Sequence, residues 1–323
     1  MSYDENQPAA PSRRPGRGNI TIAVAALVPT ALAGWLVWQA MNGSEENKPP
    51  KVLPLPSGQT TAGKPGPGSS PRTDSASPSA SPSASPSPTK GSEGKGGASG
   101  PLAGKVVVVD PGHNPGNFRH TAEINKLVDI GTNRKECDTT GTSTNDGYTE
   151  AEFTREVSQR LRTLLEKQGA TVKFTHDNDR PFGPCVDERA RIGNKAKADA
   201  VISIHADGAD VGDRGFHVIL PALVKAGAAD TTTIVGPSRE LGERIAGRFV
   251  RATGSAPSNY VGDGTGLDVR KDLGGLNLST VPKVFIECGN MRDPKDAALL
   301  KSSAWRQQAA LGMAEGIAGY LKG

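Results

Sequence analysis

Hydrophobic and polar positions divide the chain into three stretches of different character. The first is an apolar run without charge, NITIAVAALVPTALAGWLVWQAM, over residues 19–41, and it follows a polar segment, 1–18, that carries Arg13, Arg14 and Arg17. A bilayer needs about 20 such residues, and Trp35 and Trp38 stand where an interfacial aromatic belt lies. The run therefore predicts a membrane anchor, with a cytoplasmic tail at 1–18; the sequence Ala31-Leu32-Ala33 resembles a small-residue cleavage site and leaves a cleavable signal peptide as the rival reading. The second stretch, 42–101, is dominated by Pro, Ser, Gly and Ala and includes SASPSASPSASPSPTK. It has too little apolar surface to offset the entropy of ordering and predicts an extended, disordered tether. Only the third stretch, 102–323, shows the periods of regular structure.

In that third stretch four consecutive valines, Val106 to Val109, predict a strand covered on both faces, stopped by Pro111 and Gly112. Phe153, Val157, Leu161, Leu164 and Leu165 recur at helical spacing up to Gly169, and TVKFT follows as a strand. DERARIGNKAKA reads as a helix, DAVISIHADG as a strand, GFHVIL as a strand and SRELGERIAGRFVRATG as an amphipathic helix. VPKVFIECGN supplies a further strand and SAWRQQAALGMAEGIAGYL a closing helix. Strands alternating with helices predict an α/β fold, a single mixed and largely parallel sheet flanked by helices. About 220 residues suffice for one substantial domain.

The chemistry lies at the ends of these strands. His113 follows the valine strand, His205 ends the ISIHADG strand, and Glu287 ends VFIECGN. In open α/β sheets the carboxyl ends of the strands carry the binding site. Two histidines and a carboxylate brought to one rim have the composition of a catalytic zinc site. Glu150, at the start of the first helix, is another residue suited to that rim, although a carboxylate there also complements the helix dipole. His120, His176 and His217 read as surface, strand-end or supporting residues, with His217 the one that could line the cleft. The formal net charge is only +4 over 323 residues. No basic stripe with interleaved aromatics occurs, which argues against nucleic acid as a partner. Cys137 and Cys185 lie in hydrophilic, turn-rich surroundings, whereas Cys288 follows Glu287 on an apolar strand and points to the opposite face. Three cysteines allow three pairings.

The segments VVVVDPGHNPGN, GYTEAEFTREVSQRLRTLLEKQGATVKFTH, DERARIGNKAKADAVISIHADG, GFHVIL and VPKVFIECGNMRDPKDAALL resemble the zinc-dependent N-acetylmuramoyl-L-alanine amidases of the amidase-3 class, and most of all its exported actinobacterial members. The resemblance spans about 104–321 in the same order. It implies Zn2+ held by His113, Glu150 and His205, with Glu287 as the catalytic carboxylate. Glu152 stands near enough to compete with Glu150. The family pattern favours Glu150, which precedes Val157 by seven residues and Leu161 by eleven. Relatives with the same C…GPCVDER arrangement imply a Cys137–Cys185 bridge with Cys288 free. The implied reaction is hydrolysis, by zinc-activated water, of the amide between N-acetylmuramic acid and the L-alanine of the stem peptide. The implied partners are peptidoglycan or muramyl-peptide fragments, with a monomeric catalytic domain. The expected location is the cell membrane, single-pass with the catalytic domain outside the cytoplasm, or secretion if the signal is cleaved. The alternatives are a zinc carboxypeptidase-like peptidase, which would need an arginine clamp for a terminal carboxylate, and an inactive, membrane-tethered wall-binding protein. The long hydrophilic loop at 114–149 has no clear counterpart in the short glycine-rich loop of many relatives.

Overall fold

The computed structural model describes residues 99–323, so the expected tail and anchor at 1–41, and the linker up to residue 98, lie outside the described residues. Among the described residues no helix is long and apolar enough to cross a membrane. Six strands form the main sheet: β1 (Val106–Pro111), β2 (Thr171–Phe174), β3 (Ala200–Asp207), β4 (His217–Pro221), β5 (Leu267–Arg270) and β6 (Lys283–Asn290). The helices that cover it are α1 (Glu150–Glu166), α2 (Val186–Ala196), α3 (Val235–Thr253), α4 (Pro294–Lys301) and α5 (Ser303–Lys322). The spatial order is β2-β1-β3-β6-β4-β5. β2, β1, β3 and β6 are mutually parallel, and β4 pairs antiparallel to β6 and parallel to β5. The sheet is thus mixed and largely parallel, as the alternation of elements predicts. After β1 the chain adds β2 on one side and then β3 on the other, so a topological switch point lies between β1 and β3, where such folds open a crevice.

Alternation along the strands sorts the residues onto two unlike faces. Val107 and Val109 of β1, Ile202 and Ile204 of β3, and Val284 and Ile286 of β6 join α1, α3 and α5 in the main core. Helix α5 buries residues on most of its sides, which suits a helix packed among α1, α3 and α4. Cys288 lies in this core, free and buried. On the opposite face Val108 and Val201 pack with Ile192 of α2, a much smaller apolar cluster. The rest of that face is largely polar, with Asp110, Ser203, His205, Lys283 and Glu287 beside Phe285.

Several elements escape the sequence periods, among them an edge strand and a hairpin. β5 is a short edge strand, and the hydrophilic 114–149 stretch contains a hairpin, Leu127–Asp129 with Arg134–Glu136. Each has half-buried or exposed positions with little apolar alternation to reveal it.

Beneath the carboxyl end of β1 sits a buried charge cluster. Asp110, 1% exposed, accepts from Arg189 Nη1 (2.7 Å), Lys283 Nζ (3.3 Å), Thr175 Oγ1 (2.7 Å) and Ser203 Oγ (2.8 Å). Burial alone would raise the Asp110 carboxyl, but Lys283 and Arg189 hold it well below the usual carboxylate range. A depressed carboxylate contributes stability that is complete above its unfolded pKa of about 3.9 and is lost as pH falls through the folded value. Asp110→Ala leaves two buried cations short of a partner, and a loss of about 3 to 5 kcal/mol in urea unfolding is expected. A loss below about 1 kcal/mol would show that the cluster relaxes without its carboxylate.

Candidate metal centre

Three elements deliver one side chain each to the switch point. β1 ends at Pro111, and the turn that follows places His113 in the left-handed region at φ 60. β3 carries His205, and α1 begins at Glu150. The donor atoms of His113, Glu150 and His205 lie within 4.8 Å of one another. Glu150 is the bridge: its Oε2 is 3.1 Å from His113 Nε2 and its Oε1 is 2.8 Å from His205 Nδ1. Backbone N–H groups aim the carboxylate, Thr142 N donating to Oε2 (2.9 Å) and Ala206 N to Oε1 (3.2 Å). The two imidazoles meet edge to face at 4.8 Å, and the His205 ring stacks on Phe285 at 3.9 Å.

Two glycines make the crowding possible. A Cβ on Gly112 would run into the His205 ring, and one on Gly141, whose φ is 74, would meet His113 Cδ2 at 2.7 Å and Glu150 Oε2 at 2.8 Å.

Glu150 and Glu152 are separated by their roles at the helix start. Thr149 is the N-cap, its hydroxyl accepting from Glu152 N, while the Glu152 carboxylate reaches back to Thr149 N (3.3 Å) and Thr149 Oγ1 (2.9 Å). This capping box occupies Glu152 at an exposed position and leaves Glu150, 4% exposed, facing the histidines.

The donor set fits a dication. His113 Nδ1 lies 3.1 Å from the carbonyl of Thr139, which can only accept, so Nδ1 holds the proton and the Nε2 lone pair faces Glu150. A lone pair directed at a buried carboxylate is repelled unless Nε2 takes a second proton or a cation lies between them. On the protein's own charges burial lowers the His113 pKa, but Glu150 and Asp138 outweigh it and raise it well above the usual range. Burial would likewise raise Glu150, yet His113 and His205 hold it far below. For His205 burial prevails over Glu150, and the ring stays neutral more readily than a free histidine. Two imidazoles and one carboxylate are also a recurrent catalytic zinc set.

Glu287 is the register partner of His205 on β6, outside the donor cluster but in the same cleft. Its Oε2 is buried without a hydrogen-bond partner. Burial, then the charges of Glu150 and Asp207, push its carboxyl well above the usual range. The cleft holds about 420 Å³ and is floored by the polar sheet face, with Ser203, His205, Phe285 and Glu287, and walled by Lys135 and Glu136 of the hairpin and by 272–276. His176 is buried with Nε2 3.1 Å from the Pro111 carbonyl, a strand-end support. His120 packs near Phe182 and Glu123. His217 is buried opposite Glu287 in the β4–β6 register and is not among the cleft-lining residues.

The family model described as N-acetylmuramoyl-L-alanine amidase, Amidase_3, matches residues 107–319. The chain belongs to this family. It is 42% identical over 223 residues to N-acetylmuramoyl-L-alanine amidase Rv3717 of Mycobacterium tuberculosis, a match covering 68% of this chain and 88% of that protein. The crystal structure of the amidase Ami1 from Mycobacterium smegmatis superposes with a TM-score of 0.62 at 39% identity, covering 69% of this chain and 99% of that one. The apo form of Ami1 from Mycobacterium abscessus gives 0.62 at 38% identity, covering 68% and 100%. All four residues singled out from the strand ends and the first helix turn of this Amidase_3 chain meet at one cleft. Cys137 and Cys185 are bonded, with Cα atoms 4.2 Å apart. The groups that sequence reading missed are those supporting His113, namely Asn117, Asp138, Thr139 and Arg189, which no local pattern sets apart.

If the capping box fixes the start of α1, Thr149→Ala loses about 1 kcal/mol in chemical denaturation. An unshifted unfolding midpoint would contradict that assignment.

Proposed function

We propose that this chain is a zinc-dependent peptidoglycan amidase that hydrolyses the bond between N-acetylmuramic acid and the L-alanine of the stem peptide, in wall polymer or in muramyl-peptide fragments. The observation that carries the zinc reading is the convergence of His113 Nε2, His205 Nδ1 and both Glu150 oxygens at a buried point beside an unpartnered carboxylate, Glu287. His113, Glu150 and His205 would hold the ion. Bound there, zinc supplies Lewis-acid activation of water and of the scissile carbonyl. Glu287 Oε2 accepts the proton of the attacking water and returns it to the departing alanine nitrogen. Its raised pKa suits both transfers, because a carboxyl that burial and Glu150 make reluctant to ionise takes up and releases a proton closer to neutral pH. Phe285 holds the His205 ring in plane by stacking on it.

A carboxypeptidase-like reading needs a free arginine in the cleft. Arg189 is the one arginine among the described residues that line it, and its Nε, Nη1 and Nη2 are engaged by Pro184 O, Asp110 and Asp138. The tethered, inactive reading is disfavoured by the presence of all four site residues. The apolar segment at 19–41 and the Cys137–Cys185 bridge support a location outside the cytoplasm, anchored to the membrane or released after cleavage.

Glu287→Gln keeps the volume of the side chain and removes the base, so zinc uptake is retained while amide cleavage falls by about 10² to 10⁴-fold. His113→Ala loses the zinc itself. Chelation abolishes turnover of the wild type and added zinc restores it. The assay is mass-spectrometric identification of lactyl and L-alanyl ends released from purified wall. Cleavage that persists after metal removal, or at full rate in zinc-loaded Glu287→Gln, would reject the mechanism.

A further inference from the structure

We infer that Asp138 is a positioning residue for His113, held in place by Arg189 and by the Cys137–Cys185 bridge, which rests on the reading of His113 as a metal ligand. Of the three proposed ligands, His113 has the least support from its own element. Glu150 and His205 belong to a helix and a strand, but His113 stands on a turn at φ 60, a conformation that costs energy for a residue with a Cβ and persists only where the surroundings over-determine it.

Those surroundings are residues 138 and 139. His113 Nδ1 faces the Thr139 carbonyl at 3.1 Å, the Thr139 hydroxyl at 3.2 Å and Asp138 Oδ1 at 3.6 Å. Neither residue lies in a helix or strand, so their placement comes from elsewhere. Asp138 Oδ1 accepts from Thr139 N (2.8 Å), and Asn117 Nδ2 donates to the Thr139 carbonyl (2.7 Å). Arg189 Nη2 donates to Asp138 Oδ2 at 2.9 Å, while Nη1 of the same guanidinium donates to Asp110 on β1, three residues before His113. The result is a closed circuit from β1 through Arg189 and Asp138 to His113 and back to β1. Cys137, adjacent to Asp138, is bonded to Cys185, the N-cap of α2, and Val186 N donates to the Cys137 carbonyl at 2.7 Å. The bridge therefore fixes the loop that carries Asp138 to the helix that carries Arg189.

A purely structural role does not require these groups, since well-packed apolar side chains of similar volume are often as stabilising as a buried ion network. Placed behind an imidazole, a carboxylate and a carbonyl fix the tautomer with the proton on Nδ1 and make Nε2 a stronger donor to a metal. Asp138 thus acts on the metal through His113.

The test measures zinc affinity by chelator competition in the full chain, with thermal unfolding of each metal-free variant as a separate readout. Asp138→Asn is expected to remain folded and to bind zinc about 10- to 100-fold more weakly, with a shifted cobalt(II) absorption spectrum. The double variant Cys137→Ser and Cys185→Ser, which leaves every group facing His113 unchanged, is expected to weaken zinc in the same direction. Ile317→Val, buried in α5, is expected to lower the unfolding temperature without changing the zinc Kd, which separates lost stability from lost metal. Wild-type zinc affinity in either folded variant overturns the proposal. A wild-type chain that takes up no zinc overturns the metal reading first, and is told apart because the loss precedes any substitution.

Discussion

The carboxylate of Glu150 lies buried between two imidazoles, and most of the structure around it serves to make that arrangement possible. An isolated buried carboxylate is costly, and one faced by a nitrogen lone pair costs more. Here two backbone N–H groups fix its direction and both oxygens meet a histidine within 3.1 Å. The conflict is resolved by positive charge at the centre of the cluster, whether a proton on His113 or a metal ion. The start of α1 sets the position of the carboxylate, the capping box sets the start of α1, and Gly112 and Gly141 clear the space that the rings occupy.

The alternation that builds the core also builds the cleft. Odd and even positions of β3 and β6 divide into Ile202, Ile204, Val284 and Ile286 on the helix-covered face, and Ser203, His205, Phe285 and Glu287 on the other. The stability of the sheet is therefore concentrated on one side, under α1, α3 and α5. The other side gives up apolar burial to carry polar groups, and Asp110, Arg189 and Lys283 offset one another there in place of a second full core. Functional side chains on rigid strands keep their geometry while the loops above vary in length.

Much of this could be read in the sequence because the signals are long. Four valines, the segment AVISI and a final VFIE each announce a buried strand, and the polar residue that ends each is conspicuous. The choice between Glu150 and Glu152 could not be made from local pattern, since both fall in the first helical turn; the Thr149–Glu152 capping box separates them. The hairpin at 127–136 and the edge strand β5 are short and half exposed, so they carry no period to detect. Arg189 and Asp138 are separated by 51 residues and met only through the fold. His217, which the sequence leaves free to line the cleft, shares the face of Glu287 as its directly opposed residue, but it stands one strand further from His205, is buried and does not line the cleft.

Glu287 has to stand next to the donor cluster without joining it, and the sheet explains how. β6 is the seam of the mixed sheet, parallel to β3 on one side and antiparallel to β4 on the other. Glu287 is the last residue of β6 in regular register with both neighbours, His205 on β3 and His217 on β4; beyond it the β3–β6 pairing shifts before resuming at Asn290. Irregularities of this kind re-aim the chain beside active sites. Asn290 secures the far side, its amide donating to the carbonyls of Ala209, Asp210 and Asp213. The Glu287 backbone is thus tied to two strands while its Oε2 finds no partner. A carboxylate held one strand over from His205, its Oε2 buried and free of hydrogen bonds, is placed to exchange a proton and has no competing role in holding the fold.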